Sequence, residues 1–160
     1  MSKGWRITAQ ALLLLAALEG FQRIPYQDIA GVWTDGYGNT ENVVPGKPVT
    51  EAQARVKLEK HVDKFTAAVL ACLTRAPTQG QLDSYVLAAY NIGSATFCSS
   101  TAVKDHNAGR FMDSCLRMLR FDKARVKGVL RPVKGLANRR YEEYNVCLSG
   151  VPEDSLRYGR

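Results

Sequence analysis

The sequence is short of metal ligands. It holds two histidines, His61 and His106, and four cysteines, and no pair of cysteines stands at the C-x₂-C or C-x₂₋₄-C spacing of a zinc site. There is no G-x-G-x-x-G string. Gly36-Tyr37-Gly38 lacks it and no helix signal follows, which excludes a dinucleotide loop. Ser84, Ser99 and Ser100 have no partner histidine in a recognisable nucleophile motif. Glu59, His61 and Asp63 crowd one helical stretch, a pattern that belongs to a solvated face far more often than to a metal site. Thirteen glycines and six prolines show no period, so repeat architectures are excluded. The longest apolar stretch, Ile7–Leu18, spans twelve residues, where a bilayer needs about 20. Lys3 and Arg6 before it imitate a secretory signal, but Ala16 and Ala17 run straight into Leu18-Glu19 without a polar cleavage region. It reads as a core helix, apolar nearly all round because it sits inside the fold.

Acid is scarce in one place. Between Arg117 and Arg140 nine cations face a single anion, Asp122, so this stretch carries more than the chain's whole net charge of +7. Such a field raises encounter rates with polyanions: nucleic acid, anionic lipid or an acidic wall polymer. Phe121 is its one aromatic, too few for a stacking platform, so no nucleic-acid partner is expected.

What is present is ordinary for a globular chain of 160 residues: 46% hydrophobic and 23% charged, enough for one domain with a sizeable core. The even number and wide spacing of Cys72, Cys98, Cys115 and Cys147 fit two disulfides in an oxidising compartment, with three connectivities open; four buried free thiols are the alternative.

Local signals place the elements. A helix is expected from about Trp5 to Glu19, stopped by Gly20. Residues 21–49 are punctuated by Pro and Gly, and Gly31 separates Tyr26–Ile29 from Val32–Thr34, a small hairpin. Thr50-Glu-Ala-Gln53 is a capping box that opens a long helix to about Leu73, and Thr78-Gln-Gly-Gln81 repeats the signal. Helices follow near 101–107, 110–120 and 136–148. The fold class expected is α+β, predominantly α: one domain over 1–160, with helix 1 over 1–19, a β lobe over 20–49, a linking helix over 50–74 and a helical lobe over 75–160.

Two carboxylates stand out. Glu19 ends the apolar helix, where loss of solvent favours the neutral acid, while Asp28, beside Gln27 in a polar turn, is expected to stay ionised. Carboxyls in contrasting environments are what glycoside cleavage requires, and the Thr34 hydroxyl on the next strand is placed to orient a water. Two acids nine residues apart are common, so spacing alone does not decide the matter.

The full string does more. Glu19-Gly-Phe-Gln-Arg-Ile-Pro-Tyr-Gln-Asp28-Ile-Ala-Gly31-Val-Trp-Thr34-Asp-Gly36-Tyr-Gly38-Asn-Thr40 closely resembles the active-site signature of phage-type lysozymes, glycoside hydrolase family 24. Thr78–Gly93, Phe97–Thr101, Asn107–Gly109 and Gly135–Glu142 resemble further motifs of that family in the same order.

The resemblance implies a lysozyme-like fold and an endolysin that hydrolyses the β-1,4 bond between N-acetylmuramic acid and N-acetylglucosamine in peptidoglycan, in a cleft between the β lobe and the helical lobe. Glu19 matches the general acid, Asp28 the residue that positions water and stabilises the oxocarbenium ion, and Thr34 its helper; Gly38, Asn39 and Arg140 fall at candidate substrate positions. An inverting outcome is implied, with carboxyls about 6.5–9.5 Å apart. No metal or organic cofactor is implied. By the same resemblance Cys72 pairs with Cys98 and Cys115 with Cys147. A monomer made in the host cytoplasm and acting in the periplasm and cell wall is expected, without a stable membrane anchor and reliant on a membrane-pore protein (holin), its disulfides forming after exit.

The chain departs from the pattern in places. Asn39 stands where the family often has His and is expected to support the hairpin. Asp35 is expected to point away from Thr34's face, in a surface role. Lys123–Lys134 replaces a glycine-rich stretch. Lytic transglycosylase chemistry and a non-catalytic wall-binding module are the rival readings, and the intact Glu19/Asp28/Thr34 set speaks against both.

Overall fold

The computed structural model describes residues 4–151, so the termini of the expected 1–160 domain lie outside the described residues. The chain forms two compact units: Ala9–Lys64, and the described residues up to Thr8 together with those from Phe65 onward. Elements run α1 (Ala9–Glu19), β1 (Gln22–Gln27), β2 (Trp33–Gly36), α2 (Glu51–Cys72), α3 (Gln79–Ile92), α4 (Ser94–Cys98), α5 (Thr101–Asn107), α6 (Phe111–Met118), β3 (Lys123–Val126), β4 (Val129–Pro132) and α7 (Lys134–Ser149). The expected class, mostly helix with a small N-terminal hairpin and a long linking helix, is what forms.

In the first unit α1 starts four residues later than its apolar stretch predicts. The N–H and hydroxyl of Thr8 are both donated to the Asp83 carboxylate, at 3.0 and 2.6 Å, which holds the chain out of the helix there. Gly20 at φ +73 ends α1, its N–H returning to Ala16 O. The helix is not buried all round. Ala11, Leu15 and Ala16 are inside, but Leu13 is 54% exposed.

β1 and β2 pair antiparallel, Tyr26 opposite Thr34 and Gln27 opposite Trp33. The strands flank a wider turn than expected, because Asp28 draws residues 28–32 out of the ladder. Its Oδ1 accepts the N–H groups of Ala30 and Val32 at 2.8 and 2.9 Å, and Gly31 at φ +77 completes the loop. Past β2 the chain doubles back over Gly36-Tyr37-Gly38, with Asp35 and Asn39 exchanging both backbone hydrogen bonds. Gly36 sits at φ +57, and a Cβ there would lie 2.8 Å from the Ala54 methyl group, so only glycine lets this turn lie against α2. The Thr50/Gln53 capping box forms as predicted.

The second unit is built around α3, whose residues from Gln81 to Ala89 are all buried. Its start is fixed by the Thr78/Gln81 capping box. A Cβ on Gly80 would lie 2.8 Å from Val146 O, so α3 and α7 meet backbone to backbone. The Tyr85 hydroxyl lies 3.0 Å from His106 Nδ1 and 2.8 Å from Ser114 Oγ, joining α3, α5 and α6 inside this core. Disulfides join Cys72 to Cys98 and Cys115 to Cys147, the pairing implied by the resemblance, each with Cα atoms 5.7 Å apart.

Two elements of this unit escape the sequence reading. α4 is a single short turn-like helix. The basic stretch after Phe121, given no element by the sequence, forms the β3–β4 hairpin, turned by Lys127 (φ 50) and Gly128 (φ 79). Two successive left-handed residues form the two-residue turn that hairpins favour.

Candidate active site

Glu19, Asp28 and Thr34 all belong to the first unit. Glu19 is the last residue of α1 and half-buried, presented where Gly20 breaks the helix. Asp28 is half-buried at the end of β1, and Thr34 is buried in β2. Thr34 lies directly across the ladder from Tyr26. Asp28 follows β1 directly and its N–H is donated to Val32 O at 2.9 Å, so it stands at the turn end of the hairpin that carries Thr34.

Asp28 divides its labour. Oδ1 is occupied by the turn, while among the described residues nothing hydrogen-bonds to Oδ2, which leaves one oxygen for a water. The Thr34 hydroxyl donates to Val32 O at 3.1 Å, so its lone pairs face away from the bond that anchors it. Tyr26, 42% exposed and opposite Thr34 in the ladder, offers a ring edge and a hydroxyl. The signature string includes Tyr26 but gives it no role; its exposure two residues before the acid makes it a candidate.

Asp35 corrects the expectation of a surface carboxylate. It does point away from Thr34, but into the unit: it is 1% exposed, with Lys57 Nζ 2.8 Å from Oδ2 and Asn39 Nδ2 donating to Oδ1 at 2.8 Å. Asn39 is buried too. Its amide also donates to Glu41 O and its carbonyl accepts the Glu41 N–H, so it braces the turn rather than facing solvent. Gly38 is exposed at the tip, at φ +81.

Arg140 does not stand at a surface. It is fully buried in the second unit, where its guanidinium meets Glu143 at 2.6 and 2.7 Å and reaches Phe121 O at 3.5 Å. Arg139 adds a contact to the same carboxylate at 3.3 Å. Burial pushes the Glu143 carboxyl up from its usual range, and the two guanidiniums work against that push. Arg140 in this position has no surface to offer a sugar, which corrects its expected substrate role. Among the described residues no group of three or more His, Cys, Asp or Glu side chains is placed to hold a metal ion.

Comparison with known proteins agrees with this architecture. The family model described as phage lysozyme matches residues 16–143. An endolysin of Acyrthosiphon pisum secondary endosymbiont phage 1 is 34% identical over 137 residues, 86% of this chain and 94% of that protein. Among solved structures, an endolysin from Escherichia coli O157:H7 phage FAHEc1 superposes with a TM-score of 0.85 at 33% identity, over 96% of this chain and all of that one. The muramidase domain of SpmX from Asticaccaulis excentricus gives 0.86 at 27% identity, over 92% and 99%.

Proposed function

Because this chain belongs to the phage lysozyme family and is a glycoside hydrolase that degrades peptidoglycan in the manner of endolysins, we propose that Glu19, Asp28 and Thr34 carry its reaction. The bond cut is the β-1,4 link between N-acetylmuramic acid and N-acetylglucosamine. Glu19 protonates the leaving glycosidic oxygen. Asp28 Oδ2 and the Thr34 hydroxyl hold a water on the other face of the sugar, and the carboxylate stabilises the positive charge that builds on the ring. Tyr26 and the exposed backbone at Gly38 line the approach for sugar. The observation that supports this reading is that one oxygen of the Asp28 carboxylate is committed to the turn and the other is not, in the hairpin that also carries Thr34.

The rest of the biology follows as part of the same proposal. The enzyme is a single lysozyme domain working as a monomer, made in the host cytoplasm and acting in the periplasm on the wall. A pore protein (holin) supplies passage to the wall. The disulfides close after exit.

The test is mass spectrometry of soluble fragments from purified peptidoglycan digested by wild type and by Glu19→Gln. Reducing-end muropeptides from wild type, absent with Glu19→Gln, are expected. Anhydro-muramic ends would assign transglycosylase chemistry instead. No fragments from a folded wild type would leave a wall-binding module.

A further inference from the structure

The β3–β4 hairpin is cationic and apolar at once. From Lys123 to Pro132 it carries Lys123, Arg125, Lys127 and Arg131 and no acid. Its aliphatic side chains are not packed away: Val126, Val129 and Leu130 are 45, 52 and 57% exposed. Val126 and Val129 face each other across the last rung of the ladder, next to the Lys127-Gly128 turn, so the tip of the hairpin is a valine pair collared by cations. Charges on an exposed two-stranded ribbon guard its edges against pairing with other strands, which accounts for the lysines and arginines. It does not account for valines left in water at the tip of an element that is marginal by itself. Anionic lipid satisfies both features, because phosphates meet the cations while short aliphatic side chains enter the headgroup boundary.

We propose that the β3–β4 hairpin is a reversible docking element for the anionic surface of a lipid bilayer. It is peripheral: the valine pair reaches only the boundary of the acyl region, and the long stems of Lys127 and Arg131 keep their charges at the phosphate level. The tip residues lie outside the residues assigned to hydrolysis, so docking and cleavage are separable.

The experiment is co-sedimentation of the intact, disulfide-bonded protein with vesicles of phosphatidylglycerol and phosphatidylcholine, against vesicles of phosphatidylcholine alone. Wild type is expected to bind the anionic vesicles and to leave them at high salt. Arg125→Gln/Arg131→Gln is expected to bind about 30-fold more weakly, from about 1 kcal/mol for each cation near an anionic surface. Val126→Ser/Val129→Ser is expected to bind at least about tenfold more weakly with the salt dependence retained. Both variants should solubilise purified peptidoglycan as wild type does, which shows that they fold. Val129→Trp should shift its emission to the blue on anionic vesicles and not with inorganic phosphate. Equal binding to both vesicle types, wild-type binding by the arginine variant, or full displacement by millimolar inorganic phosphate would each overturn the proposal. So would arginine-dependent binding to isolated wall sacculi without vesicle binding, which would make the hairpin a wall contact.

Discussion

Lys57 Nζ lies 2.8 Å from the Asp35 carboxylate, and Asp35 is the residue that follows Thr34. A buried carboxylate one step from a proposed catalytic hydroxyl is thus tied to α2 by a cation that keeps about a third of its side chain in solvent. Removing one partner of a buried pair leaves a charge without compensation. Lys57→Met is expected to cost about 3 kcal/mol in urea denaturation, and Asp35→Asn in that background to recover part of it. No recovery in the double variant would show that the loss does not come from an uncompensated Asp35 charge.

Asp28 serves both the turn and the proposed chemistry, and two substitutions separate these uses. Asparagine keeps an acceptor for the Ala30 and Val32 N–H groups but carries no charge. Asp28→Asn is expected to melt near wild type while its turnover on peptidoglycan falls by about 10²-fold or more. Asp28→Ala loses the charge and the two bonds, adding about 1 kcal/mol of destabilisation for each. Full turnover in folded Asp28→Asn would remove this residue from the mechanism.

The two disulfides differ in access. Cys115 and Cys147 are fully buried, whereas Cys72 and Cys98 are half-buried. Under a mild phosphine reductant Cys72–Cys98 is expected to open first, and Cys115–Cys147 only at the rate of unfolding, as followed by alkylation and mass spectrometry. With partners 26 and 32 positions apart in the sequence, the loop-closure estimate gives about 3.5 kcal/mol for each bridge. Double serine variants measured by thermal melting test that figure.

Burial holds His106 below its ordinary range, in the core network with Tyr85, whose own hydroxyl is pushed up to about 12 by burial. Folded protein therefore keeps His106 neutral at a pH where the unfolded chain takes up a proton. Stability from this site is complete above about pH 6.5 and falls as the pH drops through that value, by at most about 1.4 kcal/mol per pH unit. Chemical denaturation at several pH values should show a steeper acid decline in wild type than in His106→Gln. Parallel declines would show that other groups set the pH dependence.

Gly80 has no room for a side chain against Val146 and Gly150. Gly80→Ala is expected to lower stability by about 1–3 kcal/mol through forced separation of α3 from α7, despite alanine's better helix propensity. A gain in stability would show that α7 gives way at no cost.

Much of this was legible in order. Both capping boxes, the stop of α1 at Gly20, the long α2 and the order of the later helices follow from short-range chemistry: a hydroxyl and an amide three residues apart, or a glycine free to take a positive φ. The Glu19, Asp28, Thr34 string is likewise local, since all three sit within one hairpin and the helix before it.

Two elements are harder to read. The β3–β4 hairpin is hard to read because only Lys123–Val126 alternates cation and aliphatic; Val129–Pro132 does not, and its proline argues against a strand. α1 looked like a core helix because composition counts apolar residues without saying which of them find a partner, and Leu13 finds little.

The sequence by itself determined most of the helices, the first hairpin, their order and the candidate catalytic string, because capping, turn chemistry and motif spacing act over a few residues. Tertiary structure alone decided the fate of three charged side chains. Asp35 is inside because Lys57 approaches from 22 residues away, whereas Arg139 and Arg140 pair with Glu143 within α7 and are inside because α7 packs against α3. A lone charge stays in water and a paired one can be buried; whether it is buried is a matter of which elements come together in space.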